Sequence, residues 1–99
     1  MIHHIGFLPE ARDDIEKARR WYEDRRPGLG DEFLLAVEAQ CAAIDSHPLS
    51  YPLVYLDGRK AWLRRFPYII LFYVHDDTVV IVSVHHTSRD PRHWQQRYR

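Results

Sequence analysis

The sequence predicts an α+β domain: an N-terminal strand, an antiparallel helical hairpin packed on an antiparallel β-sheet, and a short C-terminal helix. Three observations carry this expectation. Apolar residues recur at a 3.6-residue period through residues 9–46, in two runs separated by "RPGLG". Residues 58–86 are dense in β-branched and aromatic side chains. The two most apolar runs there, "YIILFYVH" and "TVVIVSVHH", flank the polar turn "HDDT", which makes them a hairpin.

In chain order, "IHHIGF" reads as a short strand, although His3 and His4 interrupt its alternation. Pro9 suits a first helical position, where its missing N–H costs nothing. Ala11, Ile15, Ala18 and Tyr22 then form one apolar face, with Asp13, Glu16, Lys17, Arg20 and Glu23 on solvated faces. "RPGLG" stops this helix and Asp31 is the expected N-cap of the next. Phe33, Leu34, Val37, Cys41 and Ile44 keep the helical period until "HPLSYP", where a residue before proline leaves the α region. So short a connection makes the helices antiparallel, and their shared apolar face needs a sheet. Alternation along "GRKAWLRRF" puts Lys60, Trp62, Arg64 and Phe66 on one side, with Arg59, Ala61, Leu63 and Arg65 on the other. Pro67 cannot donate to a ladder, so the turn falls at "FPY". Asp90 as N-cap and Pro91 at the first helical position begin a last helix carrying Trp94, expected to lie as a lid over the core.

Ninety-nine residues are expected to form a single domain, 1–99, able to fold without metal or disulfide support. The lone Cys41 has no internal disulfide partner and sits on an apolar helical face, as a core residue would. No basic leader or long apolar run is visible, so a cytoplasmic chain with no membrane partner is expected. Zero net charge argues against a strongly basic nucleic-acid coat. The halves differ, however. Residues 1–49 carry six Lys/Arg against ten Asp/Glu (−4), and residues 50–99 carry eight against four (+4). An acidic partner would meet the second half. Seven histidines invite a metal reading, but the adjacent pairs His3/His4 and His85/His86 face apart on a strand and no zinc-type spacing occurs. No metal and no cofactor are expected.

With these elements placed, the chain resembles the RelE/ParE superfamily, the toxins of bacterial type II toxin–antitoxin modules. "ARDDIEKARRWYEDRRPGLGDEF" matches the helical hairpin, "RRFPYIILFYV" the paired strands and "VHHTSRDPRHWQQR" the end. The last two resemble patterns of a ParE-like subgroup often called plasmid stabilisation proteins. The resemblance implies a growth inhibitor neutralised by a cognate antitoxin. It implies action on DNA gyrase if ParE-like, or ribosome-dependent mRNA cleavage if RelE-like; a diverged, non-toxic antitoxin-binding module is the third reading.

Metal-independent RNA cleavage needs a base, a cation for the phosphate and an acid for the leaving oxygen. By the resemblance, Arg65 or Arg64 would hold phosphate, His85 or His86 would be the base and Arg89 would assist. Arg59, Lys60 and Arg64 form the basic strand expected to meet the target. The lysine-rich strand of RelE-like enzymes is reduced here to Lys60. A gyrase inhibitor needs no proton transfer and places less weight on histidine. The bland reading of the arginines is a solvated strand paired with Asp57, Asp76 or Asp90. His85 and His86 should point to opposite faces, one toward the helical hairpin or its edge and one to the open side. The antitoxin surface implied by the resemblance follows the helical hairpin and sheet edge, where Trp21 and Tyr22 are candidate anchors.

Overall fold

The structure, a computed structural model, describes residues 4–98 of the chain. Strand β1 (His4–Phe7) leads into α1 (Pro9–Arg25), with Pro9 in the first helical turn as expected. Ile2 and His3 of the expected first strand lie outside the described residues. Helix α2 (Leu29–Ser46) starts two residues before Asp31, which is therefore not its N-cap. Gly28 occupies that position at φ +88°, a conformation glycine adopts without a Cβ penalty. The cap comes from α1 instead. The Glu23 carboxylate accepts from the N–H groups of Gly28 and Gly30 at 3.0–3.1 Å, and these bonds hold it below the usual carboxylate range. At Gly30 the helices are so close that a Cβ would lie 2.8 Å from the Arg19 carbonyl oxygen.

A 3₁₀ turn (Pro48–Ser50) precedes β2 (Leu53–Tyr55), β3 (Gly58–Trp62), β4 (Tyr68–His75) and β5 (Thr78–His86). The sheet order is β1-β5-β4-β3-β2. All neighbours are antiparallel except β1 and β5, which run parallel through Phe7↔Ile81. The helical hairpin carries the chain from β1 to the far edge of the sheet, and the meander returns until β5 lands beside β1. Strand β2 is an addition to the sequence reading; three residues after Pro52 give no periodicity to detect.

Strand β3 also stops earlier than "GRKAWLRRF" suggests. Arg64 and Arg65 lie in the turn after Trp62, with Arg65 at φ +72°. Phe66 therefore does not share a face with Lys60 and Trp62. It is buried with Ala61 and Leu63 in the core beneath the helices. Lys60 and Trp62 do stay together, with Nζ 5.1 Å from the indole centroid.

The main core fills the space between hairpin and sheet. Phe33, Ile44, Ile70, Phe72, Val79 and Ile81 are fully buried there, and burial pushes the Cys41 thiol up to about 11, which makes it unreactive. A second, smaller cluster lies on the opposite face of the sheet, where Ile69 and Leu71 meet Trp94 and are flanked by Tyr55 and Tyr98. Trp94 sits on α3 (Arg92–Gln95), which continues as a 3₁₀ turn (Gln96–Tyr98). The helix starts one residue later than expected, with Pro91 rather than Asp90 at its N-cap position, but Asp90 still serves its first turn by accepting the Arg92 N–H at 2.9 Å. Trp94 is thus a lid, but over the open face of the sheet rather than over the core shared with the hairpin. Tyr98 packs so tightly on Gly58 that any side chain there would collide with its ring.

Candidate functional site

The C-terminal end of β5 organises the surface. Strand β1 leaves it at Ile81, where the Leu8 N–H donates to the Ile81 carbonyl at 2.9 Å. Beyond that point side chains take the place of a neighbouring strand. Asp14 on α1 accepts the Val84 N–H at 3.0 Å and the Ser83 hydroxyl at 3.2 Å. Arg97 donates to the Val82 carbonyl at 3.2 Å and forks onto both Asp14 oxygens at 2.6 and 3.2 Å. Their side chains are only 12% and 18% exposed. This pair joins the first helix, the last strand and the chain's C-terminal turn.

The two histidines that follow point apart, as alternation requires. His85 lies on the open side of the sheet, yet it is 7% exposed because Trp94 stacks over it, centroids 5.9 Å apart and planes 22° from parallel. Desolvation lowers its pKa to about 4, so it is neutral near pH 7. His86 turns to the hairpin side, edge-on to Tyr68 at 5.4 Å. Its Nδ1 accepts the Ser88 N–H at 3.0 Å, which assigns the proton of the neutral ring to Nε2.

Two concavities meet at this strand end. A groove of about 610 Å³ runs between α1 and β5, lined among others by Lys17, Trp21, Tyr22, Tyr68, His86 and Arg89. A smaller one of about 360 Å³ on the open face brings Lys60, His85 and Arg89 together beside Trp94. The remaining basic candidates go elsewhere. Arg59 donates to the carbonyls of Tyr51 (2.6 Å) and Leu49 (3.3 Å), tying β3 to the 3₁₀ turn that follows α2. Arg64 borders a separate hollow beside Ala36, Gln40 and Tyr51. Arg65 pairs with Glu32 on α2 at 2.7 Å, and Glu32 also holds Arg26 at 2.9 Å. Among the described residues, the expected partners Asp57 and Asp76 pair with none of these three arginines, and Asp90 pairs with Arg92. Both hairpin aromatics border the larger groove. Trp21 is half-exposed with Arg25 over one face at 4.0 Å, and Tyr22 packs on Phe33 and Phe66.

Residues 5–91 match the family described as the ParE toxin of the type II toxin–antitoxin system, parDE. The chain belongs to this family. It is therefore the toxin of a type II toxin–antitoxin module, and its fold is that of the RelE/ParE superfamily. No curated protein matches at a significant level. Among solved structures, the chromosomal ParDE system of P. aeruginosa superimposes with a TM-score of 0.77 at 15% identity, over 86% of this chain and 96% of that one. The E. coli RelBE toxin–antitoxin complex gives 0.67 at 20% identity, over 88% and 99%. The RelBE2 complex of Mycobacterium tuberculosis gives 0.61 at 26% identity, over 87% and 99%. No helix among the described residues of this ParE-family toxin is long and apolar enough to cross a membrane.

Sequence reasoning passed over Asp14, Lys17 and Arg97. A signal for Asp14 did exist: it falls three residues after Ala11 and four before Ala18, on the buried stripe itself. A carboxylate at such a position needs a partner. Nothing local names Arg97 as that partner.

His85 makes the toxin's stability depend on pH. Its folded pKa lies below the unfolded value of about 6.5, so the unfolded chain takes up the proton first. The stability it contributes is complete above pH 6.5 and is lost as pH falls toward 4. Urea unfolding at pH 7 and pH 4.5 should show wild type losing about 2 kcal/mol more than His85→Leu over that interval. Equal losses in the two proteins would show that burial of His85 does not set this dependence.

Proposed function

We propose that this ParE-family toxin acts by binding rather than by cleaving RNA, with DNA gyrase or another replication component as its target. In the cytoplasm it would be held silent by a cognate antitoxin encoded beside it. The observation that carries the binding mode is the state of His85, the histidine on the open face: it is buried under Trp94 and carries no charge near neutral pH. A general acid needs a proton to give, and an efficient base has a pKa near the working pH. Arg65, one of the two arginines expected to hold phosphate, is paired with Glu32, the other, Arg64, borders a separate hollow beside α2, and Arg59 of the basic strand is spent on backbone carbonyls. The antitoxin partner is supported by the similar structures above, which include toxin–antitoxin complexes.

One arrangement favours a second reading, a RelE-like ribosome-dependent mRNA endoribonuclease. Lys60, His85 and Arg89 border one open-face groove. Expression of the chain alone, with DNA supercoiling and mRNA integrity followed in parallel, separates the two. The expected result is growth arrest with loss of supercoiling and intact mRNA. Inhibition by binding uses no catalytic base, so His85→Gln should leave toxicity nearly unchanged, whereas removing a true base would cost about 10²–10⁴-fold. Cleaved mRNA with normal supercoiling, abolished by His85→Gln, would establish the nuclease instead.

A further inference from the structure

The edge of the sheet formed by β2 is unguarded. Residues 48–56, "PLSYPLVYL", run from the 3₁₀ turn through β2 without one charged side chain. Seven large apolar residues are exposed among the described residues, and four of them, Leu49, Leu53, Val54 and Leu56, fall within this stretch. Leu56 is held at φ +52° in the turn before β3, a conformation that asparagine or glycine usually supplies. An exposed edge strand is ordinarily protected by lysine or by an inward-pointing charge. Here Pro52 and the bulge after Leu53 only shorten it.

The register fixes which backbone groups are free. Leu53 is opposite Arg59, and the Lys60 N–H donates to the Pro52 carbonyl at 3.1 Å. The N–H and C=O of Leu53 therefore point away from β3. Its side chain shares a side of the sheet with Arg59, whose guanidinium holds the Leu49 and Tyr51 carbonyls. The turn that carries Leu49 thus lies on the same side as the Leu53 side chain.

We propose that β2 seats the β2 of a second copy of this chain, antiparallel, about a two-fold axis at Leu53. Each Leu53 N–H would donate to the Leu53 carbonyl of the other copy. The apolar side chains are self-complementary about that axis. Leu49 and Leu56 lie four and three positions to either side of Leu53, so Leu49 of one copy faces Leu56 of the other. An uncharged edge has nothing to select an acidic or basic segment, and one outward pair is too short to hold an extended peptide by itself. Area sets the strength. The four side chains expose roughly 400 Å² per copy, about half of the ~800 Å² per partner of a stable complex, so a Kd of about 100 µM is expected. The contact closes on itself, because each copy has one such edge and uses it once. Strand β5 lies three strands away, so the groove beside α1 stays open in the pair. The pairing is independent of the toxin's target.

Sedimentation velocity of the full-length toxin from about 5 to about 500 µM tests this. The weight-average mass should rise from monomer toward dimer and no further. Leu53→Lys and Leu49→Lys should each weaken the pairing at least about tenfold: two like charges meet at the axis in the first, and a charge meets Leu56 in the second. Leu35→Lys places the same charge on α2 at a leucine as exposed as the first, 65% against 57%, and should change the pairing less than about twofold. All three positions are exposed, and thermal unfolding checks that each variant folds. A cross-link fixes the geometry. Leu53→Cys should give a disulfide-linked dimer under mild oxidation, since directly paired Cα atoms about 5.5 Å apart are within disulfide reach. Leu35→Cys should not, and Cys41 is buried in both. A monomer throughout the range, equal weakening by Leu35→Lys, association that continues past the dimer, or equal cross-linking of the two cysteine variants would each overturn the proposal. So would wild type that stays monomeric while Leu53→Lys loses binding to the protein encoded beside it, which assigns the edge to that partner.

Discussion

Asp14→Ala is expected to destabilise the toxin by about 3 kcal/mol, the low end of what breaking a buried ion pair costs when one partner is left behind. Three groups lose their partner together. The Arg97 guanidinium keeps only the Val82 carbonyl, the Val84 N–H has no acceptor, and the Ser83 hydroxyl is left with His85 Nδ1 at 3.4 Å. The side chains are 12% and 18% exposed, so some water can relieve the loss, which sets the estimate below that for a fully enclosed pair. Asp14→Asn keeps an acceptor for the Val84 N–H and should cost about half as much. Arg97→Ala removes the cation but leaves Asp14 its two donors on β5, and should also cost less. Urea unfolding of the two alanine variants and their double mutant closes a cycle whose coupling should be about 1–2 kcal/mol. A loss below about 0.5 kcal/mol for Asp14→Ala would mean that water serves the edge of β5 as well as the carboxylate does. An opened strand edge also invites pairing between copies, so the variant should self-associate at concentrations where wild type does not.

The same pair shows where sequence reading ends. Period and composition are local properties, and they were enough for the helical hairpin, the β4–β5 hairpin and the last helical turn. Asp14 and Arg97 are separated by 83 positions and meet only because β1 and β5 lie side by side. The divergence of His85 and His86 was legible because alternation is obligatory in a strand. Which of them would be buried was not, because that depends on which face of the sheet α3 covers. Strand β3 misled for a different reason. "RRF" continues the alternation of "GRKAW", and the break at Arg65, a positive φ, occurs without the glycine or asparagine that usually announces one. Two of the seven basic and histidine candidates, Arg64 and Arg65, left the expected face on that account. Arg59 was placed on the correct side of β3, but its carbonyl partners come from the 3₁₀ turn, which has no pattern of its own.

Phe33→Ala should have the largest effect of a single core substitution, a loss of about 4 kcal/mol. The ring is fully buried and central to an aromatic cluster: stacked on Tyr22 at 5.4 Å, and edge-on to Phe66 at 5.3 Å and Tyr68 at 5.1 Å. Removing it forfeits the transfer term of a large side chain, leaves a cavity that rigid rings cannot collapse into, and adds lost aromatic contacts. Phe33→Leu refills most of that space and should cost about 1–2 kcal/mol. The consequence reaches the surface, because Tyr22 and Tyr68 are both the neighbours of Phe33 and the floor of the groove beside α1. Their hydroxyls are held above the usual phenol range by burial. With Phe33 gone the two rings lose their support, and their phenolic titration should move down toward that of exposed tyrosine. Chemical denaturation measures the first effect, and ultraviolet titration of the folded variant, set against Phe33→Leu, measures the second. If Phe33→Ala were destabilised by less than about 2 kcal/mol with unchanged phenol titration, the cluster would be repacking freely. The groove floor would then be set by the backbone of β4 and α1, not by the ring beneath it.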